Sequence, residues 1–172
     1  MNLLRQWLSR GDTPSPVPPA GPGEPTDDLG ALRTALVAVV ALVRAESGRL
    51  PTEAVPEIRE AADQLFELLD YGDALATTGA TIEPFAMFTI TAAITDYLPT
   101  SIGDYLALPA AFLRGHRSAT GESPAQELVA QATVLRRGLV ELAQSVYAGD
   151  SQRLASQRRF LETKFSGSDL DL

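Results

Sequence analysis

A regular apolar stripe in the second half of the chain is the feature that most constrains its fold. From Leu128 to Val146 the members of the stripe recur at intervals of four and three residues, which is the spacing of one face of an α-helix. A helix-start pattern precedes it, with Ser123 as the cap, Pro124 at the first helical position and Gln126 placed to bond back to the cap. The sequence therefore predicts a long core-facing helix whose inward residues are Leu128, Ala132, Leu135, Leu139, Leu142 and Val146.

The residues after this stripe predict a further helix that turns back on the first. Gly149 is a typical helix-stop residue, and Asp150 is a good cap for a new helix with Leu154, Leu161 and Phe165 on its inward side. Two helices joined so closely run antiparallel. We therefore expect a helical hairpin at the end of the body.

Apolar residues at helical spacing also account for the first half of the body. The predicted helices run from Asp27 or Asp28 to Gly48, over about 53–71, from Thr81 to Leu98 and over 99–108. The third of these is apolar on most sides, which predicts a central position. Because the chain is 45% apolar and has no alternating strand pattern, the predicted fold is all-α, an antiparallel bundle of five to six helices.

The N-terminal 26 residues divide into an apolar segment and a proline-rich one. Residues 1–10 place Leu3, Leu4, Trp7 and Leu8 at helical spacing beside two arginines, which predicts a short amphipathic helix. Residues 11–26 hold six of the twelve prolines, which predicts a stiff, extended tether. The expected organisation is an amphipathic helix over 1–10, a linker over 11–26, a helical bundle over 27–165 and an acidic tail over 166–172.

Composition excludes several classes of chemistry. The chain has no cysteine and a single histidine, His116, so disulfides, thiolate nucleophiles and cysteine-based metal sites are excluded, and no cofactor is expected. A net charge of −8 argues against nucleic acid as a partner. Without a secretory signal or a stretch of the ~20 apolar residues that span a bilayer, the chain is expected to be cytoplasmic. Peripheral contact with the inner membrane face through residues 1–10 stays open.

Two clusters of charged residues are interpreted as solvated helix faces. Five acids between Glu57 and Asp70 have helical spacing, but no histidine joins them in the pattern of a di-iron bundle site. Four cationic residues between Arg153 and Lys164 have the acid Glu162 among them. We therefore predict no metal site and no catalytic residue in either cluster.

The segment from Asp96 to Leu108 is a dense cluster of tyrosines and aspartates around a proline. The unit Asp-Tyr-Leu occurs twice in it, and Pro99 follows the first copy. Because proline is tolerated at the start of a helix but not in its interior, the segment predicts a corner between two helices set at an angle. The alternative is an acid/base pair formed by Asp96 and Asp104.

The same segment resembles the Tyr-Leu-Pro-Thr signature of the XpaC-like bacterial proteins, a family named for hydrolysis of 5-bromo-4-chloroindolyl phosphate. The residues that carry the resemblance are Tyr97, Leu98, Pro99, Thr100, Asp104 and Tyr105. The end of the chain, Phe160 to Leu172, is also similar to the C-terminus of a set of small uncharacterised bacterial proteins. The resemblance covers about residues 50–172. It implies a helical body, a mainly structural role for the motif residues, and a link to envelope or stress functions.

Two functions from different classes remain at this point. The first is a non-enzymatic helical interaction protein, an adaptor that presents Leu3, Leu4, Trp7 and Leu8 to a protein groove or to a membrane surface, since both targets accept the same amphipathic pattern. The second, which rests only on the resemblance, is a phosphatase-like hydrolase or its accessory factor. An unidentified protein is the expected partner of the first.

Removal of residues 1–26 tests the first function. We expect the shortened chain to stay folded, because these residues precede the predicted body, and to lose partner capture or membrane association. Circular dichroism measures the first outcome, and pull-down and liposome sedimentation measure the second. Unchanged behaviour in both binding assays would contradict a role for residues 1–10.

Overall fold

The computed structural model describes residues 25–119 and 121–166, and their side chains over 29–119 and 121–164. The predictions for residues 1–10, for the linker up to residue 24 and for the tail from 167 onward lie outside the described residues. The helices are α1 (Pro25–Ala45), α2 (Ala54–Ala76), α3 (Pro84–Ala92), a π-helical segment (Ala93–Tyr97), α4 (Leu98–Ala107), α5 (Ala110–Gly115) and α6 (Pro124–Ser166). The described part of the chain contains no strand, and the predicted all-α bundle is confirmed.

Side-chain pairs at the two ends of α2 fix its direction relative to its neighbours. Near the start of α2, Glu57 accepts a hydrogen bond from Nε of Arg136 at 2.7 Å, and near its end Tyr71 donates one to Asp150. Both pairs are separated by 79 residues, so α2 and α6 run parallel in a constant register. Arg33, early in α1, instead contacts Asp70 late in α2, so α1 and α2 run antiparallel.

The long helices of the described part of the chain surround one core. Around the bundle α1 adjoins α2, α2 adjoins α6, α6 adjoins α4, and the π-helical segment adjoins α1. The consecutive helices α2 and α3 therefore lie across the bundle from each other. No charged or polar residue is buried in the described part of the chain. The largest fully buried side chains come from every side of this ring: Leu36, Val43, Ile58, Leu65, Leu68, Leu69, Ile90, Ile94, Ile102 and Leu139.

The predicted start of the long C-terminal helix is confirmed, and two other predicted helix starts are wrong. Ser123 and Gln126 form the predicted reciprocal cap, with the Ser123 N–H donating to Oε1 of Gln126 at 2.8 Å and the Gln126 N–H donating to Oγ of Ser123 at 3.2 Å. The predicted Thr81 cap is wrong, because the Glu83 carboxylate accepts from the Ala86 N–H and Pro84 occupies the first turn. Helix α1 begins at Pro25, which shortens the predicted linker by two residues.

Helix α2 is longer than predicted, since it continues through Gly72 to Ala76. A Cβ atom at Gly72 would lie 3.1 Å from Cδ1 of Ile82 and 3.2 Å from Cδ1 of Leu29. Glycine at this position thus allows α1 and the α2–α3 connection to pack closely on α2, and it does not end the helix. The short helix α5 was not predicted.

The predicted hairpin at Gly149 is wrong, because α6 is a single helix of 43 residues. One glycine in a helix interior costs only about 1 kcal/mol relative to alanine. Asp150, the predicted cap of a new helix, instead packs half-buried against α2 and accepts a hydrogen bond from Tyr71. The ring of Tyr71 also lies edge-on to Tyr147, with centroids 4.9 Å apart. Packing of α6 on α2 at this level therefore favours helix continuation.

Replacement of Gly149 by alanine distinguishes a helix interior from a turn. Because Gly149 lies in α6 with open space around it, we expect Gly149→Ala to raise the free energy of unfolding by about 0.5–1 kcal/mol. Gly79→Ala is the matched control: Gly79 has φ of +73°, so alanine there should destabilise the fold. Chemical denaturation measures both, and destabilisation by Gly149→Ala would contradict the continuous helix.

The ion pair that joins α2 to α6 is sensitive to pH. The pKa of Glu57 is lowered from its ordinary value, first by the hydrogen bond from Arg136, and the pKa of Arg136 is raised by the same bond. A carboxyl group with a lowered pKa stabilises the folded state above its unfolded pKa, and this contribution disappears as the pH falls through the lowered value.

We expect Arg136→Met to lower the free energy of unfolding at neutral pH. We also expect this free energy to depend less on pH in the variant than in the wild type. The difference in free energy of unfolding between variant and wild type should be largest above the ordinary glutamate pKa of 4.5. It should shrink below that pH, because Glu57 becomes protonated in both the folded and the unfolded protein. Arg44→Met, which removes an exposed arginine from α1, is the control. A difference that stays constant from pH 7 to pH 3 would argue against the pair.

Candidate functional site

The π-helical segment is the local irregularity from which the candidate site is built. Leu98 donates its backbone N–H to the carbonyl of Ala93, five residues earlier, instead of four as in an α-helix. Pro99 follows immediately, and a proline lacks the N–H and clashes with the preceding turn of a regular α-helix. The wider π turn accommodates that clash, so α3, the π-helical segment and α4 follow one another without a break. Segments of this kind occur frequently at functional sites.

A groove runs between the helical unit that contains this segment and α6, and we call it the α4–α6 groove. Its upper part is a cavity of ≈ 660 Å³ between the π-helical segment and α6, and its lower part is a cavity of ≈ 620 Å³ beside α4 and the start of α6. The two parts share Thr100, Ser101, Leu128 and Gln131 in their linings. These volumes lie within the range of ~300–1,000 Å³ typical of ligand sites.

The upper part of the groove has an apolar floor and exposes a large apolar side chain on each wall. Buried side chains form the floor, among them Leu98, Ile102 and Leu139. Tyr97 on one wall is 48% exposed and Val134 on the other is 69% exposed. The fold thus leaves large apolar side chains uncovered on both sides of one depression.

The polar residues of the groove give it one sign of charge. Asp96 lines the upper part, and Asp104, Glu122 and Glu127 line the lower part. No lysine or arginine is among the described residues that line either part. The groove therefore combines an apolar floor with a carboxylate rim, which suits an apolar ligand that carries positive charge.

The structure places the predicted motif residues around this groove. Tyr97, Leu98 and Thr100 line its upper part, Tyr105 and Asp104 line its lower part, and Pro99 lies between them on the same turn. Thr100 donates its hydroxyl to Oδ1 of Asp96 at 3.1 Å, so this acid is part of the turn. A π turn lies where the corner was predicted, and its residues are both structural and groove-lining. The predicted angle between the two helices stays a prediction. Residues Leu3, Leu4, Trp7 and Leu8 lie outside the described residues.

The single histidine also borders the groove, whereas the clustered acids of α2 do not. His116 lines the lower part and stacks on Phe112, with ring centroids 4.1 Å apart. The acids predicted to form a solvated face on α2 are partly engaged in ion pairs, since Arg136 holds Glu57 and Glu60 while Arg33 holds Asp70. Among the described residues, no group of three or more histidines and acids is placed to hold a metal ion. No described helix has the length and hydropathy of a membrane span.

Sequence reasoning missed three exposed apolar residues, of which Val134 lines the groove. The predicted central helix includes Phe85 and Phe88, but α3 leaves the first 70% exposed and the second 69% exposed. Val134 was also missed, although its position directly beside the inward Leu135 places it off the buried stripe. The exposure of Val134 could therefore have been predicted from the spacing of apolar residues. The exposure of Phe85 and Phe88 could not, because a helix that is apolar on all sides does not show which side faces solvent.

Comparison with known proteins adds no assignment. No protein-family model matches the chain, no curated protein is significantly similar to it, and no solved structure matches its fold. The resemblance of Tyr97–Tyr105 to the XpaC-like signature stays a prediction from the motif.

Proposed function

We propose that this protein is a non-enzymatic helical interaction protein, and that the free end of α6 binds an acidic protein partner. The observation that carries the proposal is the length of α6 relative to its neighbour. In the register of 79 residues that relates α2 to α6, the last residue of α2, Ala76, corresponds to Ala155. Among the described side chains of α6, Ala155 is also the last that is half-buried, and each one over 156–164 is exposed.

The end of α6 beyond Ala155, which we call the projecting end, therefore extends past the bundle. Residues 156–166 remain helical and span roughly 16 Å at the rise of an α-helix. An isolated helix of this length is marginal in water, so its helical conformation depends on continuity with the packed part of α6. The bundle thus holds a preformed helix in solvent, which lowers the entropy cost of helix-in-groove binding.

The side chains near this end combine apolar area with positive charge. Leu154 and Leu161 are exposed and lie seven residues apart, so they share one side of the helix. Arg158, Arg159 and Lys164 outnumber the single acid, Glu162, over 156–164, and Nζ of Lys164 lies 5.8 Å from the ring centroid of Phe160. In a chain with a net charge of −8, such a local excess of cations favours an acidic partner surface with an apolar centre.

The residues at the N-terminus add a second binding element to this proposal. Leu3, Leu4, Trp7 and Leu8 follow the same pattern of apolar residues beside arginines. An interaction protein with two such elements gains avidity when one partner engages both. The bundle between them then serves as the adaptor body.

Charge and apolarity at the projecting end are tested separately by substitution. We expect Leu161→Glu and Arg158→Glu each to reduce capture of the partner by about tenfold or more, because one removes apolar contact and the other reverses a charge, losses of roughly 1–3 kcal/mol. Val37→Glu, which alters a comparably exposed apolar residue on α1, is the matched control and should leave capture intact. Pull-down from the native host, followed by titration of the captured protein, gives the measurement.

Three results would contradict the proposal. Equal loss in Val37→Glu would show that capture does not depend on this surface. Capture that is insensitive to salt would argue against an acidic partner. Sedimentation with anionic vesicles in the absence of any protein partner, lost in Leu161→Glu, would assign the projecting end to a membrane surface.

A further inference from the structure

We propose that the α4–α6 groove is the docking site of residues 1–10 of its own chain. The groove is a different surface from the projecting end of α6, and docking in it does not depend on the function proposed above. While docked, residues 1–10 do not contact a partner, so their use as a second binding element requires release from the groove. It combines the shape and charge of the groove, the sequence of the occupant and the length of chain between them.

The apolar pattern of the segment matches the apolar part of the groove. Leu4, Trp7 and Leu8 have the i, i+3, i+4 spacing of anchors that an amphipathic helix places in a groove. Along one wall the groove extends from Thr89 to Ile102, about 20 Å at the rise of an α-helix, which exceeds the ~15 Å that ten helical residues need. Tyr97 and Val134, exposed on opposite walls, would both be covered by such an occupant.

The charges of the two elements are complementary. Residues 1–10 contain Arg5 and Arg10 and no acid. The groove presents Asp96 in its upper part and the carboxylates of its lower part, without a lysine or arginine among its described lining residues. The segment is thus the one stretch of the chain before α1 that is both apolar and purely cationic, and the groove has the opposite charge.

The linker is long enough for this contact. Helix α1 begins at Pro25, and the end of the bundle at which it begins is marked by the contact of Leu29 with the region of Gly72 and Ile82. The 14 residues over 11–24 reach about 43 Å in a polyproline conformation. In the 79-residue register Leu139 of the groove is level with Glu60 of α2, so the groove lies about 18 Å along the bundle from the level of Gly72. Since neighbouring helix axes lie only ~8–10 Å apart, the linker is long enough to cover both this distance and the width of the bundle. A tether of this kind gives the segment an effective concentration on the order of millimolar.

A second cavity is a weaker match for the same segment. It has a volume of ≈ 460 Å³ and lies between α1, the end of α2 and α3, close to the start of α1. Its lining includes Leu29, Ile82, Met87 and Thr91, and none of its described lining residues is charged. It is smaller than the upper part of the α4–α6 groove, and it offers nothing to Arg5 or Arg10.

The fluorescence of Trp7 measures the proposed contact directly, because the chain contains a single tryptophan. In the full-length protein we expect the emission maximum of Trp7 to be shifted to shorter wavelength relative to a synthetic peptide of residues 1–26. Quenching by acrylamide should be at least about twofold weaker in the protein than in the peptide. Both effects should persist on dilution, because the segment belongs to the same chain as the groove.

Variants of the groove locate the site of contact. Val134→Lys and Gln131→Lys place a cation on exposed positions of the groove wall and should return Trp7 emission and quenching to the values of the free peptide. Val37→Lys, an exposed valine of α1 that lies away from the groove, should leave both unchanged. Circular dichroism checks that both variants fold. Gln131→Lys is the less disruptive of the two, because it replaces an exposed residue that is already polar.

Several outcomes would overturn the proposal. Emission of the wild-type protein equal to that of the free peptide would show that the segment does not dock. A blue shift that survives both groove variants would place Trp7 at another site, such as the cavity beside α1. A blue shift that disappears on dilution would assign the groove to the N-terminal segment of a second copy.

Discussion

The packing of α2 against α6 is the interaction on which the rest of the structure depends. Leu65, Leu68 and Leu69 of α2 and Leu139 of α6 are fully buried in the shared core. Two polar pairs mark the ends of this contact, Glu57 with Arg136 and Tyr71 with Asp150, and both have the same separation along the chain. Because no charged or polar residue is buried among the described residues, hydrogen bonds within the core do not select which helices are neighbours. Pairs such as these at its edge add directional contacts to the apolar packing.

The second determinant is the π turn before Pro99. It lets one helical unit continue past a proline, and it presents Asp96 and Tyr97 toward the space beside α6. A regular α-helix cannot accept proline there, and a complete break would separate the residues that line the groove. The Tyr97–Tyr105 motif therefore has a structural explanation within this chain: Tyr97 belongs to the π turn, and the residues that follow it in α4 continue the wall of the groove.

Much of the fold could be predicted from the sequence, and the failures have physical causes. The Ser123–Gln126 cap was predictable because its partners lie three residues apart. The inward stripe predicted from Leu128 to Val146 does pack on the core, with some members buried and others partly buried against it. Gly149 misled the prediction because its effect on a helix is small beside the packing of Asp150 and Tyr147 on α2, a contact from a distant part of the chain. The groove was not predictable for the same reason, since its two walls come from segments that only the bundle brings together.

The constant register between α2 and α6 also limits how the length of this chain can vary. Residues added or removed in the connections between these helices change the separation of 79 residues without altering which faces meet. An insertion between Glu57 and Tyr71 is different, because it displaces one pair relative to the other and rotates the buried stripe of α2. Only a matched insertion between Arg136 and Asp150 would restore both contacts. Changes in length within the two helices are therefore expected to occur together, as coupled events in the divergence of this fold.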